Sequence, residues 1–362
     1  MEKRLIDICT PKQWKTIATK DLLEDGYPVY GANGQIGFYD KYTHEEATLM
    51  ITCRGATCGS LNISRPYSYI NGNAMALDNL DENIELKYLY YFLKNRGLLD
   101  TISGSAQPQI TRNSLAKVIV RYPEKNLQLK IVRILDKVQE LIDKRKKQIE
   151  ELDLLVKSKF IEMFGDVFLN TKNFEMKQIK DIVTVVKGIT YKPNQVNEEG
   201  TIVLRSSNIK GSKFDLNDIV RVNKKIDEKF LVEVNDILMC NRNGSERLVG
   251  KVAKIPEYNE PMTFGTFMTI IRTPYYNYLF TFFQTEAFRR QIKMQTSVAI
   301  NQISIPLLES VKVPLPPIEL QNQFADFVKQ VDKLKFEMEK SLKELESNFE
   351  SLMQKIFKVD LL

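Results

Sequence analysis

Apolar side chains recur at helical spacing in two long stretches of the chain. In the first, apolar or long residues fall at Ile131, Ile134, Val138, Leu141, Arg145, Ile149, Leu152, Val156, Lys159 and Met163. In the second they fall at Phe324, Phe327, Val331, Leu334, Met338, Leu342, Leu345, Phe349, Leu352 and Ile356. The steps alternate mostly three and four, the spacing of a coiled-coil seam. Both seams take two consecutive four-residue steps at the same place, around Arg145–Ile149 and Met338–Leu342, a stutter that locally unwinds a supercoil. Each stretch begins after a proline-marked stop, Tyr122-Pro123 or Pro314-Leu315-Pro316-Pro317. About forty helical residues span roughly 60 Å at ~1.5 Å per residue.

The pattern between these stretches is different. Short apolar runs, Thr48–Thr52 and Asp236–Cys240, read as buried strands. Leu86–Leu99 and Tyr278–Met294 read as helices with aromatic faces, and Leu115–Val120 and Val311–Val313 as closing strands. The chain is therefore expected to alternate an α/β block (1–123), a helix (124–165), a second α/β block (166–316) and a second helix (317–362).

The two halves repeat each other. With a shift of 193 residues, Gln109-Ile110 aligns with Gln302-Ile303, and the match runs without a gap to Phe164 and Phe357. It pairs Leu115 with Leu308, Pro123 with Pro316, Leu127-Gln128 with Leu320-Gln321, Val138 with Val331, Leu141 with Leu334, and Leu152 with Leu345. Upstream the likeness is fainter. Tyr88-Leu89-x-x-Phe92 matches Tyr278-Leu279-x-x-Phe282, Gly72-x-x-Met75 matches Gly265-x-x-Met268, and Leu49-Met50 matches Leu238-Met239, with Arg54 and Arg242 shortly after. Two matched seams in one chain can satisfy each other by lying antiparallel. The expected fold is α/β: two α/β domains related by a pseudo-two-fold axis and separated by two long antiparallel coiled-coil helices.

Charge adds a modest preference. The net charge is +6, divided as +1 over 1–123, +2 over 124–165, +5 over 166–316 and −2 over 317–362. This permits a nucleic-acid partner without requiring one. The run Asp143-Lys144-Arg145-Lys146-Lys147 reads first as a solvated helix face. No apolar run is long enough to cross a bilayer, and the opening residues lack the apolar stretch of a secretory signal, so a cytoplasmic protein with no membrane association is expected.

Catalytic chemistry is sparse. There is one histidine, His44, and the four cysteines (Cys9, Cys53, Cys58, Cys240) lack the company of further ligands, so reduced thiols and no metal site are expected. No Walker loop is present. Gly31-x-x-Gly34-x-x-Gly37 opens no helix, and Thr273-Pro274-Tyr275-Tyr276 lacks the second proline of an adenine-methyltransferase motif. Asp81, Glu85 and Lys87 have the composition of a nuclease core, which leaves a stand-alone restriction endonuclease as one alternative and a coiled-coil protein adaptor as another.

Loops rich in Gly, Asn, Ser and Arg carry the remaining signal. They combine side chains that read base edges, Arg for guanine and Asn or Gln for adenine, with residues that also form turns. Residues matched between the halves cannot explain two different readings. Arg54, Gln109, Arg242 and Gln302 are thus candidates for DNA-backbone contact or loop bracing. Unmatched Asn33, Gln35, Asn73, Arg205, Asn208, Arg247 and Lys251 are candidates for base readout.

These features resemble the specificity subunits of Type I restriction–modification systems. The resemblance covers the whole chain, and its local phrases are Tyr27-Pro28-Val29-Tyr30-Gly31-Ala32-Asn33-Gly34, Ile51-Thr52-Cys53-Arg54-Gly55, Pro316-Pro317-x-x-Leu320-Gln321 and Met163-Phe164-Gly165-Asp166. The second half departs from the last phrase with Ile356-Phe357-Lys358-Val359-Asp360. The resemblance implies two target recognition domains, each reading half of a split site on double-stranded DNA. It implies no catalytic residue and no cofactor on this chain. S-adenosylmethionine, ATP and magnesium would sit on two adenine-methyltransferase modification subunits and two restriction motor-nuclease subunits. The helices, through Ile131, Val138, Leu141, Leu152, Phe324, Val331, Leu334 and Leu345, would set the spacer and dock the partners.

Overall fold

The computed structural model describes residues 1–32, 34–104, 107–295 and 301–358. Contacts divide the chain into two units, Met1–Gln148 with Met338–Leu362, and Ile149–Glu337. Both boundaries fall inside long helices, at or beside the stutter of the seam.

Unit 1 is built on a four-stranded antiparallel sheet of β1 (Thr10–Gln13), β2 (Leu49–Thr52), β3 (Leu61–Ile63) and β4 (Ala74–Asp78), in the order β1-β4-β2-β3. Residues alternate between its faces. Leu49, Ile51, Met75 and Leu77 join a core with helix α1 (Leu86–Arg96), while Met50, Ala74 and Ala76 pack on the other side with Tyr30 and Ile70. Helix α1 ends where Gly97 adopts a φ of +70°, a left-handed stop that suits glycine. Strand Ile119–Arg121 closes the unit by pairing with Glu2–Arg4 and leads into helix α2 (Lys125–Phe164).

Unit 2 repeats this plan. Strands β5 (Thr184–Lys187), β6 (Ile237–Cys240), β7 (Val252–Lys254) and β8 (Met268–Arg272) form a sheet in the corresponding order β5-β8-β6-β7. The expected helix Tyr278–Met294 is instead two, α3 (Tyr276–Phe282) and α4 (Glu286–Met294). Thr285 causes the break: its hydroxyl accepts the backbone N–H of Phe288 and starts a new helix. Strand Lys312–Leu315, paired with Glu175–Gln178, closes the unit ahead of helix α5 (Ile318–Phe357).

Each unit owns part of both long helices. Within unit 2 they run antiparallel: Asp153 pairs with Lys335, Lys159 lies over Phe327, and the Phe160 ring meets Phe324 at 5.5 Å. Within unit 1, Lys146 pairs with Glu346 at 2.8 Å. Helix ends are anchored by aromatic contacts. Phe164 meets Tyr278 at 4.9 Å in unit 2, and Phe357 meets Tyr88 at 5.5 Å in unit 1.

Three seam positions need correcting: Ile134, which is 52% exposed, Leu141 and Leu334. Ile131, Leu152, Phe324 and Val331 are buried, and Val138 and Leu345 are partly so. Leu141 and Leu334 are 43% and 47% exposed, and their neighbours Ile142 and Lys335 are buried in their place. The α/β blocks pack on the helices from the side, so the buried face turns away from the strict seam there. Leu141 and its match Leu334 depart together, whereas Ile134 departs alone, since its match Phe327 is half-buried.

Candidate nucleic-acid interface

The repeat is most exact where the expected bracing residues lie. Arg54 and Gln109 face each other in an isolated antiparallel bridge, and Arg242 and Gln302 do the same. Next to each, a backbone bond ties the same positions: Ile110 N to the Cys53 carbonyl at 3.0 Å, and Ile303 N to the Asn241 carbonyl at 2.8 Å. All four bridge side chains are exposed. Thus each unit presents one arginine and one glutamine side by side from two separate segments.

These bridges fix the true register of the repeat. Gly59 and Gly250 donate to the carbonyls of Thr52 and Cys240, both at 2.8 Å and both with positive φ, +92° and +80°. Thr52 is therefore equivalent to Cys240, and Leu49 to Ile237. Facing agrees, since Leu49 and Ile51 share the helix-side core in unit 1 as Ile237 and Met239 do in unit 2. The sequence match of Leu49-Met50 with Leu238-Met239 is one residue off. So is Met75 with Met268, because Ile51 pairs with Met75 while Met239 pairs with Thr269. A one-residue slip would turn every side chain to the opposite face, and the cores that these residues join rule it out.

The closing elements match at atomic detail. The Tyr88 hydroxyl donates to the Arg121 carbonyl at 2.9 Å, and the Tyr278 hydroxyl to that of Pro314 at 2.6 Å. Gln128 and Gln321, both buried, donate to the carbonyls of Pro123 and Pro316 at the start of their helices. The shared glutamine and proline thus serve helix entry.

The base-readout candidates separate into groups. Asn33 lies outside the described residues. Gln35, Asn73 and Arg247 are exposed, on the Gly34–Tyr39 strand, in the turn before β4 and in the loop after β6 respectively. Lys251 is half-buried and its carbonyl accepts the Cys240 N–H at 2.9 Å. Arg205 reaches the Asp218 carboxylate at 2.7 Å. Asn208 is a correction. It is 1% exposed, its amide nitrogen donates to the carbonyls of Asp215 and Asp218, and its side-chain oxygen accepts the Arg205 N–H. Its polar atoms are spent on bracing a turn, so it has nothing to offer a base.

Asn241 lies in one of the Gly-, Asn-, Ser- and Arg-rich loops, beside Arg242, but is not among the residues that the sequence singles out for base readout. It lines a cavity of about 390 Å³ in unit 2 with Lys187, Arg242, Phe267, Gln302 and Ser304 among others. Its side-chain oxygen is buried and has no hydrogen-bond partner among the described residues.

The nuclease triad does not assemble. The Asp81 carboxylate is held by the backbone and side-chain N–H groups of Asn83 and by Lys3, and the Asn83 backbone bond leads in holding its pKa down at about 2. Lys87 pairs with Asp136 at 2.6 Å. Among the described residues no three His, Cys, Asp or Glu side chains gather in a metal-binding group, and no helix is long and apolar enough to cross a membrane. Cys9 is buried, and burial pushes its thiol up to about 12.

Comparison with known proteins joins these observations. The chain is 27% identical over 176 residues to the StySPI specificity subunit of Salmonella potsdam, covering 44% of this chain and 37% of that subunit. It is 22% identical over 347 residues to the MjaVIII specificity subunit of Methanocaldococcus jannaschii, covering 86% of this chain and 80% of that one. Several curated relatives are matched over less than half of their own length. The fold is shared with a solved S subunit of a Type I restriction–modification system from M. genitalium, at a TM-score of 0.57 and 18% identity over 99% of this chain and 96% of that one. Residues 1–154 and 171–347 each match the Type I restriction modification DNA specificity domain, so the chain belongs to that family.

Proposed function

We propose that this chain is the non-catalytic reader of a Type I restriction–modification complex, taking one half of a split DNA site with each unit. The observation that carries this reading is the paired Arg–Gln bridge. The same two exposed side chains stand together in two units of one chain, each beside loops that differ. Invariant parts suit the DNA backbone, which is the same at every site, and variable parts suit bases. Blocks 1–123 and 166–316 are the reading heads, joined by the helices 124–165 and 317–362.

The helices supply docking surface. Leu127, Ile134 and Leu141 are exposed and seven residues apart, so they form one apolar line along α2 within unit 1. Leu334, the counterpart of Leu141, is exposed on α5 within unit 2. Apolar lines of this kind mark a partner surface, and two modification methyltransferase subunits are the partners the family implies. Restriction motor-nuclease subunits would join that assembly. S-adenosylmethionine, ATP and magnesium belong to those partners in this reading, and the setting is the cytoplasm.

The test is adenine-methylation sequencing of the source genome with and without this gene. Loss of methylation at one split motif is the expected outcome. If every motif persists while the partner subunits are expressed, the reading fails and a protein adaptor takes its place.

A further inference from the structure

Unit 2 contains a cavity whose wall residues have hydrogen-bonded equivalents in unit 1. Strand registers make Lys187 equivalent to Gln13 and Asn241 equivalent to Cys53. In unit 1 the Gln13 amide donates to the Cys53 sulfur at 2.9 Å and to the Gly72 carbonyl at 3.0 Å. The Cys53 thiol in turn donates to the Asn73 carbonyl at 3.2 Å. Each group there has a partner. In unit 2 the same three-dimensional position holds Asn241, 8% exposed, a residue of the cavity wall whose side-chain oxygen is buried and unpaired among the described residues.

A buried amide oxygen without a donor costs about 1–3 kcal/mol, and folded proteins rarely leave one without reason. Something that brings an N–H into the cavity would remove that cost. The rim indicates what it is. Lys187 and Arg242 supply positive charge, the Phe267 ring is 56% exposed, and the Arg242 guanidinium lies 5.4 Å over it. Two cations with an exposed ring suit a nucleotide, whose phosphates are anionic and whose base is flat. A volume of about 390 Å³ is within the range of small-ligand pockets and ample for one base. An asparagine amide can accept from one atom and donate to another, which is the pattern adenine offers at N6 and N7.

We propose that Asn241 is a specificity-determining residue of the second reading head. A rotation of its amide brings its oxygen, buried in the unbound protein, to accept from the 6-amino group of an adenine in that half-site, with its amide nitrogen donating to N7. The equivalent Cys53 cannot make this pair, so the two heads differ at a matched position of the fold. This inference rests on the proposed function above.

The test uses the full complex with its modification subunits and a duplex carrying the motif found by methylation sequencing. Each adenine of the half-sites is replaced in turn by purine, which lacks the amino group. The variant is Asn241→Cys, chosen because unit 1 already accommodates cysteine at this position. In the unaltered protein, one purine replacement in one half-site should weaken binding about five- to hundred-fold. In Asn241→Cys that same replacement should cost nothing further, while replacements in the other half-site should cost what they did before. Equal penalties in the two proteins at every adenine overturn the inference, as does a second half-site without adenine. Both results leave the proposed function standing. That function fails separately, if the unaltered complex shows no preference for any motif.

Discussion

Units 1 and 2 share a frame and differ in what it carries. The sheet order, the Arg–Gln bridge, the helix tyrosine bonded to the closing strand and the glutamine at helix entry occur in both. At the last paired residue of the shared sheet the chemistry reverses. Asp78 accepts from Trp14 and bonds His44, whereas its counterpart Arg272 pairs with the buried carboxylate of Asp236. One backbone thus tolerates opposite charge at one position, provided each charge finds its own partner. The units also differ in how completely they are satisfied, and this supplies ways to break the comparison.

The largest effect is expected where helix ends enter the cores. Phe164 is fully buried against Tyr278 and Phe324, and its counterpart Phe357 is slightly exposed beside Tyr88 and Phe92. Phe164→Ala should cost about 3–5 kcal/mol, and Phe357→Ala less, because its site is partly open. Hydrogen exchange should place the first loss among the described residues of unit 2 and the second in unit 1. Equal losses spread over both units would mean that they fold as one.

A smaller contrast separates the two helix-entry glutamines. Gln128 uses its whole amide, accepting the Glu85 N–H and donating to the Asn83 and Pro123 carbonyls. Gln321 donates to Pro316, and its oxygen is buried with no partner among the described residues. Gln128→Leu should therefore cost about 2–3 kcal/mol, while Gln321→Leu should cost under about 1, since it also removes an unpaired atom. Denaturant melts of the two variants measure the difference directly. Equal costs would show that the Gln321 oxygen is satisfied in solution.

Much of this was legible in the sequence because a repeat within one chain is its own control. The long helices, the closing strands and the Gln109/Gln302 pair follow from the 193-residue shift and heptad spacing, and the Arg54/Arg242 pair from the fainter upstream likeness. The upstream register was not legible. Both copies of the strand are buried at every position, with no polar alternation to set the phase, so Leu-Met matched Leu-Met one residue out of step. Exposure of Leu141 and Leu334 was hidden for a related reason, since a seam pattern does not say what else packs on a helix. Asn208 and Asn241 carry the same side chain in loops of the same composition. The first is used up by its own turn and the second is left with a free oxygen, and only the fold distinguishes them.

The smallest predicted effect addresses the bridge itself. Arg54 and Arg242 hold equivalent places, but Arg242 also lies over the Phe267 ring. If both contact phosphates, Arg54→Ala and Arg242→Ala should each weaken DNA binding uniformly across sequences and reduce the slope of log affinity against log salt by about 1. Arg242→Ala should in addition lower stability by about 0.5 kcal/mol through loss of the cation–ring contact, and Arg54→Ala should not. Titrations at several salt concentrations, with melts of the same samples, separate the two roles. A changed melt with an unchanged salt slope would make these arginines braces of the loop, and the contact with the DNA backbone would have to come from lysines elsewhere on the same units.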